Sequence, residues 1–421
     1  MARLVSVLFH YRAYATAALN VLLASLEELP DPPRMVLAQG KQRLVEALQE
    51  ELAAGRRALV LWSFYSPDLE PCARELAWVR ARVDDPRVTH IAGGPHASAE
   101  PLSTLRAGFD FAAQGEGEAL VRELARRHER GEDLAACRGI ARLSPEGELL
   151  ANGQAERVEL DDYPAVAYRS KRFHALEITR GCIYACGFCQ TPFLFKARFR
   201  HRSVMEIRRA VRCMAAAGCG YVRFLSPTSL SYGSGNESVE LGAVEELLRG
   251  VREELGAGGR IYFGTFPSEL RPEHVTPEAL ALLRRMVDNR QLVIGGQSGS
   301  ERVLAATHRG HDVEAVRRAV RVSLECGFTP NVDFLLGLPG ESEAEMETTM
   351  AFARELAQAG ARIHAHAFMP LPGTPLKAAD AGELPARIRA QLEQLSSSGK
   401  AYGQWRAQEQ FAAGLAARKR G

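Results

Sequence analysis

Apolar and polar positions alternate along the chain in two rhythms. Short apolar runs, Leu4 to Phe9, Ala58 to Trp62 and Val88 to Ala92, are each followed by a longer stretch of helical period, Thr16 to Leu29, Pro71 to Val83 and Glu100 to Ala107. Strands that alternate with helices predict parallel strands joined by crossover helices, a doubly wound, Rossmann-like α/β domain over residues 1–150. Between Leu143 and Arg172 the chain turns polar. Pro145-Glu146-Gly147 predicts a hairpin turn and Leu160 to Pro164 an extended connector, so the domain boundary falls here.

The rhythm then resumes. Strands are predicted at Ala175 to Thr179, Tyr221 to Leu225, Arg260 to Gly264, Gln291 to Gly295, Asn331 to Leu336 and Arg362 to Phe368. Helices are predicted from Ser203 to Ala217, Glu237 to Leu255, Pro277 to Met286, Val313 to Cys326 and Ser342 to Ala359. Ser203 with Glu206, and Ser342 with Glu345, have the spacing of capping boxes. Six βα units are two short of a closed eightfold barrel and predict a partial (β/α)6 barrel over residues 165–375. Residues 376–421 read as a helical extension, amphipathic from Glu383 onward, with Tyr402, Trp405 and Phe411 as anchors over the barrel's open side or the first domain. Arg418-Lys419-Arg420 reads as a frayed basic end.

Composition narrows the class only a little. With 421 residues, 46% apolar and 25% charged, the chain suits two or three globular domains. A net charge of +2 gives no argument for nucleic acid or membrane as a bulk partner. No apolar run approaches the length of a transmembrane helix, and the start Met1 to Phe9 reads as a strand, not a signal peptide. Eight scattered cysteines exclude a disulfide scaffold and point to a reducing, cytoplasmic setting.

Cysteine spacing changes the picture most. Cys182, Cys186 and Cys189 follow a β-prone run directly, spaced so that one loop can aim three thiolates at one point. A structural zinc ion takes four ligands, and His174 and His201 are the nearby candidates for the fourth. Three thiolates suit an iron–sulfur cubane better, because they leave one iron open to a small molecule. A disulfide with a free thiol is the remaining reading.

The spacing, with Phe188 before the third cysteine, resembles the signature of the radical S-adenosylmethionine (radical SAM) superfamily. The resemblance implies a [4Fe-4S] cluster on Cys182, Cys186 and Cys189, whose open iron chelates S-adenosylmethionine for reductive cleavage to a 5′-deoxyadenosyl radical. It also implies an external electron donor such as flavodoxin or ferredoxin. In barrels of this kind the chemistry sits at the carboxyl ends of the strands. There the resemblance places Phe188, Ser226, Thr228, Glu269, Gln297, Ser298, Arg309 and Leu338 around S-adenosylmethionine. Ser226-Pro227-Thr228-Ser229 stands where many members have Gly-Gly-Glu, so hydroxyls or carbonyls must substitute for that carboxylate. Glu269 and Arg271 act on ligand or form an ion pair with each other. His364 and His366 alternate along the sixth strand and face one side; with no carboxylate nearby they are a weak metal site and equally core histidines.

The first domain ends its strands in Ser63-Phe64-Tyr65-Ser66, Gly93-Gly94-Pro95-His96 and Gly115-Glu116-Gly117-Glu118. Their order resembles the cobalamin-binding domain that precedes many radical SAM enzymes, with Ser63, Gly93, Gly94, His96, Gly115 and Glu116 near the cofactor. A plainer reading makes the glycines turn residues and the carboxylates caps of the helix from Ala119 to Arg130. The Asp-x-His-x-x-Gly of many such domains is absent after the first strand, leaving His10 and His96 as weak substitutes for a cobalt ligand, or a domain that binds no corrinoid. The family most resembled, B12-binding/radical SAM proteins of the cobalamin-dependent class B type, implies methyl transfer from methylcobalamin to an unactivated carbon of a small-molecule or peptide substrate. Rearrangement, cyclisation or oxidation without methyl transfer is the alternative; a non-catalytic iron–sulfur sensor is a further one. A methylthiotransferase would need three more cluster cysteines in a domain that offers Cys72 and Cys137.

Overall fold

The computed structural model describes residues 5–380 and 383–420, without the side chains of 416–420. The Met1–Leu4 start of the expected first strand and the basic side chains of Arg418, Lys419 and Arg420 lie outside the described residues. Two compact units divide the chain, Met1–His174 and Ala175–Gly421.

The first unit is built on strands β1 (Val5–His10), β2 (Arg34–Ala38), β3 (Arg57–Ser63), β4 (Val88–Gly93), β5 (Phe111–Ala113), β6 (Ile140–Leu143) and β7 (Leu149–Ala151). They form one sheet in the order β2-β1-β3-β4-β5-β6-β7, parallel through β5 and antiparallel beyond it. The central strands are apolar throughout because both faces are covered. Val7, Phe9, Leu59 and Leu61 meet Leu19, Leu23 and Leu124 on one face, while Leu8, Val60 and Trp62 meet Leu44, Leu48 and Leu76 on the other. The chain direction across the sheet reverses between β1 and β3, the position where doubly wound sheets bind ligands.

Sequence rhythm missed β2 and the helix Gly40–Ala53. β2 is an edge strand, part-exposed along most of its length, so it lacks the apolar run of a central strand. Pro101 divides the segment after β4 into helices Gly94–Ala99 and Pro101–Arg106, since it has no N–H to continue the first. The connector expected to be extended makes a single 3-10 turn at Leu160–Asp162.

The second unit adds β8 (Leu176–Glu177), β9 (Thr179–Arg180), β10 (Arg200–His201), β11 (Tyr221–Leu225), β12 (Arg260–Tyr262), β13 (Gln291–Gln297), β14 (Thr329–Leu336), β15 (Arg362–Ala367) and β16 (Ala401–Tyr402). Parallel sheets β12-β11-β8 and β13-β14-β15-β16 are joined where Leu270 N donates to Val293 O at 2.8 Å and Gly295 N to Leu270 O at 3.1 Å. The result is a partial (β/α)6 barrel whose six strands are β8, β11, β12, β13, β14 and β15. Helix Pro277–Met286 begins where Thr276 caps Ala279 N. Ser342 and Glu345 form the reciprocal capping box.

The tail departs from a wholly helical extension. Helices Ala386–Ser397 and Trp405–Arg420 flank β16, which pairs in parallel with β15 and sets Tyr402 beside His364. Leu384, Ile388, Leu392, Leu395 and Trp405 complete the core that β14, β15 and helix Glu343–Ala359 begin. The tail therefore covers the barrel's last strands. Among the described residues no helix is long and apolar enough to cross a membrane.

Candidate functional site

The cysteine loop leaves β9 through Gly181, which has φ +80° and whose absent Cβ would collide with the Arg198 carbonyl, so only glycine fits the exit. Gly187 N donates to Thr307 O at 3.0 Å, and Cys189 N to Cys186 O at 3.0 Å. From the β12 side, the Arg271 guanidinium stacks 3.5 Å over the Tyr184 ring, and the Tyr184 hydroxyl meets His274 Nε2 at 3.0 Å. The loop is thus held at several points while its thiols stay uncombined.

Burial pushes the Cys182 thiol up to about 12, with the neighbouring thiols Cys189 and Cys186 adding to the shift, and raises Cys189 as well. Neutral thiols suit that environment, and a cationic metal centre would reverse the preference. Among the described residues the one group of three potential metal ligands whose donor atoms all lie within 4.8 Å of one another is elsewhere, at Asp333, His364 and His366. His201, a fourth-ligand candidate for zinc, has both ring nitrogens engaged, by Thr179 Oγ1 at 3.0 Å and Ser234 O at 2.7 Å. The donor set fits a three-thiolate cluster.

Arg309 reaches the loop at Cys186. Buried, it donates through Nη2 to Gly295 O at 2.7 Å and through Nε to His311 Nε2 at 3.0 Å, and Nη1 lies 3.6 Å from Cys186 Sγ. Its other neighbour is Glu269, 3.7 Å away, whose acidity burial weakens and Arg309 restores in part. A Cβ on Gly295 would clash with Arg309 Nη2 and fall 3.0 Å from both Gln297 Nε2 and Glu269 Oε2. Three expected S-adenosylmethionine residues, Gln297 at the end of β13, Glu269 before it in the chain and Arg309 after it, thus converge on one glycine. Gln297 sits at φ +70° beside a register irregularity in β13. Phe188 and Leu338 meet in a small apolar cluster with Val303 and Phe368.

The hydroxyl residues divide. Thr228 Oγ1 and Ser229 Oγ are buried without a hydrogen-bond partner, and Ser229 N donates to Glu269 O at 2.9 Å. Such unmet hydroxyls are what an incoming ammonium group would satisfy. Ser226 Oγ donates to Thr228 O at 2.9 Å. Ser298 is occupied within the fold: its Oγ meets Thr349 Oγ1 at 3.2 Å and accepts from Ser300 N at 3.1 Å.

Two expected pairings are corrected here. Glu269 and Arg271 do not pair with each other, because Arg271 turns to Glu273 and to the Arg309 carbonyl while Glu269 faces Arg309. His364 and His366 are not without a carboxylate, since Asp333 Oδ1 lies 2.9 Å from His364 Nδ1. Asp333 and Gln408, which sequence reading overlooked, line a cavity of about 220 Å³ with Phe188, Gln297, His366 and Met369. The available signal was an aspartate inside an otherwise apolar strand.

In the first unit the expected cofactor residues gather at strand ends, yet each has work inside the fold. Gly94 has φ +90°, and a Cβ there would lie 2.9 Å from Ser63 Oγ and 3.0 Å from Phe64 O; Gly93 ends β4. Gly115, at φ +94°, is hemmed in by the Ala155 backbone at 3.1 Å. Glu116 does not cap the helix Gly117–Arg130, as the plainer reading expects; its Oε2 accepts from Val158 N at 3.2 Å. His96 is bonded at both nitrogens, to Ser66 at 2.9 Å and Ser103 at 3.0 Å, and burial lowers it to about 4. His10 stacks on Trp62 with centroids 3.8 Å apart and meets Glu75 at 2.8 Å. Ser63, Gly93 and Gly94 gather at the ends of neighbouring strands β3 and β4, and His10 Nδ1 is a buried ring nitrogen without a hydrogen-bond partner.

A thiolate loop at the carboxyl end of the first strand of a partial barrel defines a class of iron–sulfur protein. Residues 176–353, which lie within the second unit, match the family model of the radical SAM superfamily. The fold of the chain is similar to that of the radical S-adenosylmethionine methyltransferase TsrM from Kitasatospora setae, solved with cobalamin and a [4Fe-4S] cluster bound. That likeness has a TM-score of 0.67 at 18% identity over 89% of this chain and 74% of that one. It is similar too to the cobalamin-dependent S-adenosylmethionine radical enzyme OxsB, with a TM-score of 0.66 at 16% identity over 83% of this chain and 51% of that one. Among curated proteins, the tRNA-2-methylthio-N(6)-dimethylallyladenosine synthase of Chlorobium phaeobacteroides is 31% identical over 182 residues, 42% of this chain and 39% of its own length. The enzyme of the same name from Trichlorobacter lovleyi is 28% identical over 242 residues, 56% of this chain and 52% of its own. The chain thus spans about half or less of these relatives.

Proposed function

We propose that the protein is a cobalamin-dependent radical SAM methyltransferase that acts on an unactivated carbon of a small-molecule or peptide substrate. The observation that carries the radical SAM part is the loop of Cys182, Cys186 and Cys189, fastened by Arg271 stacked on Tyr184 and by the hydrogen bond from Gly187 N to Thr307 O. The chemistry supplied by the bound cofactors is reductive cleavage of S-adenosylmethionine at a [4Fe-4S] cluster and delivery of a methyl group from cobalamin. The chain's own residues bind and orient: the three cysteines hold the cluster, Arg309 steadies Cys186, and Thr228, Ser229, Glu269 and Gln297 offer polar groups to S-adenosylmethionine. Phe188 and Leu338 provide an apolar wall against water. Ser63, Gly93 and Gly94 leave room for a corrinoid at the switch point of the first sheet. An external reductant such as a flavodoxin or ferredoxin would deliver the electron.

Support for cobalamin comes from the fold shared with TsrM and OxsB, both solved with a cobalamin. A methylthiotransferase is disfavoured because Cys72 and Cys137, the cysteines of the first unit, lie in different hydrophobic clusters on opposite faces of its sheet. The second reading, a radical rearrangement, cyclisation or oxidation without methyl transfer, is favoured by His96, whose two ring nitrogens are both bonded within the fold. The test is anaerobic reconstitution followed by reduction with S-adenosylmethionine present. Four irons and four sulfides per chain with release of 5′-deoxyadenosine are expected, and a corrinoid spectrum when the protein is produced with cobalamin. Protein that holds the cluster yet leaves S-adenosylmethionine intact sinks the catalytic reading; protein that cleaves it but takes up no corrinoid sinks the methyltransferase.

A further inference from the structure

Asp333 and His364 are direct neighbours in the β14–β15 register, and His366, two residues further along β15, faces the same side. His364 Nδ1 lies 2.9 Å from Asp333 Oδ1 and 3.2 Å from His366 Nε2. A ring nitrogen carries either one proton or one lone pair, so hydrogen bonding can serve these two neighbours only one at a time. A single cation among the three donors serves all of them. An ion about 2.1 Å from each donor separates adjacent ligands by roughly 3.0 to 3.4 Å, from octahedral to tetrahedral, and the observed spacings lie close to that range.

We propose that Asp333, His364 and His366 form a binding site for one divalent transition-metal ion, separate from the thiolate loop. Two imidazoles and one carboxylate are a donor set taken by iron, cobalt, zinc and related ions. Tyr402 stacks on His364 with centroids 4.5 Å apart and planes 9° from parallel, which fixes that ring. Asp333 and His366 line the cavity of about 220 Å³, so the ion's remaining positions open toward water or an oxygen of a bound molecule.

Gln408 gives the site a signed test. Its Oε1 accepts from Ala367 N at 3.0 Å, which turns its Nε2 toward His366 Nδ1 at 3.1 Å. A ring that ligates through Nε2 carries its proton on Nδ1 and needs an acceptor there. Loading the site therefore asks the Gln408 amide to turn over, and a carboxylate at 408 removes that demand.

The probe is Co²⁺ added to full-length C182A/C186A/C189A protein, in which no cluster competes. One Co²⁺ per chain is expected, with the visible absorption of nitrogen and oxygen ligation and no thiolate-to-cobalt band. Affinity should fall about tenfold or more in H366A and in the shape-conserving D333N, and rise in Q408E. Melting curves recorded without metal identify any variant that has lost its fold, and D333N carries the test if H366A does not fold. No uptake, uptake with a thiolate band, uptake indifferent to D333N, or weaker uptake by Q408E each overturns the site. Because this protein carries no cluster, none of those results bears on the radical chemistry.

Discussion

The strand ends of the two units invite comparison. In the first unit the groups that sequence singled out are mostly satisfied from within, His10 Nδ1 excepted: His96 is bonded at both nitrogens, Glu116 holds Val158 N, and Gly94 and Gly115 are required by close backbone. In the second unit the corresponding positions keep unmet chemistry: three open thiols, the buried hydroxyls of Thr228, Ser229 and Ser231 without partners, and the part-buried carboxyl of Glu269 met by one guanidinium at 3.7 Å. An interior that leaves polar groups unsatisfied is less stable than one that does not, unless a ligand supplies the missing partners. The contrast separates residues that shape a site from residues that wait for an occupant.

The sharpest break comes at the thiols. Replacing any one of Cys182, Cys186 or Cys189 with alanine should lower 5′-deoxyadenosine release on the order of a thousandfold or more, because the three act as a unit. Iron and sulfide analysis of the same samples checks that the loss follows the cluster.

Arg309 comes next. Arg309→Met leaves the part-buried Glu269 without its cation, and the loss should cost about 1–3 kcal/mol, less than for a fully buried pair. Urea unfolding measures the loss, and R309M/E269Q should recover part of it, since a neutral amide needs no counter-charge. Full destabilisation in the double variant would mean that the Gly295 hydrogen bond, not the charge, matters.

A pH effect is expected at Glu341, which burial raises to about 7 although its carboxylate accepts from Gly337 N and Leu338 N. Its folded pKa exceeds the unfolded value, so the native state binds more protons and stability falls as pH rises from about 4.5 to about 7. Glu341→Gln should remove on the order of 1–3 kcal/mol of that slope, read from unfolding curves across the interval.

The smallest effects are the most discriminating. Thr228→Val deletes an unpartnered hydroxyl, so stability should hold or improve while S-adenosylmethionine binding weakens several-fold. Ser298→Ala should do the opposite, costing about 1 kcal/mol through Thr349 and Ser300 with little change in binding. Identical profiles from the two would erase the distinction between shaping and waiting groups.

What could be read beforehand follows from where the determining contacts lie in the chain. The cysteine loop and the capping box at Ser342 are local, so spacing alone reveals them. Helix Pro277–Met286 ends where expected because its signals lie within its own segment: Thr276 and Pro277 start it, and Arg284 and Arg285 suit its last turn. β2 escaped notice because an edge strand needs only one covered face, and β16 because two residues become a strand only when β15 is beside them. Asp333 was passed over for the same reason. Its partner His364 stands 31 positions away, and Gln408 approaches His366 from 42.

Gly295 also sets a rule for anyone redesigning the barrel mouth. A single added methyl group would wedge apart the Arg309 guanidinium, the Gln297 amide and the Glu269 carboxyl, which meet around Gly295. Libraries meant to change what the enzyme accepts should keep that codon fixed and randomise the far wall, at Met369 and Leu371, where new shapes can be tried without unseating the machinery.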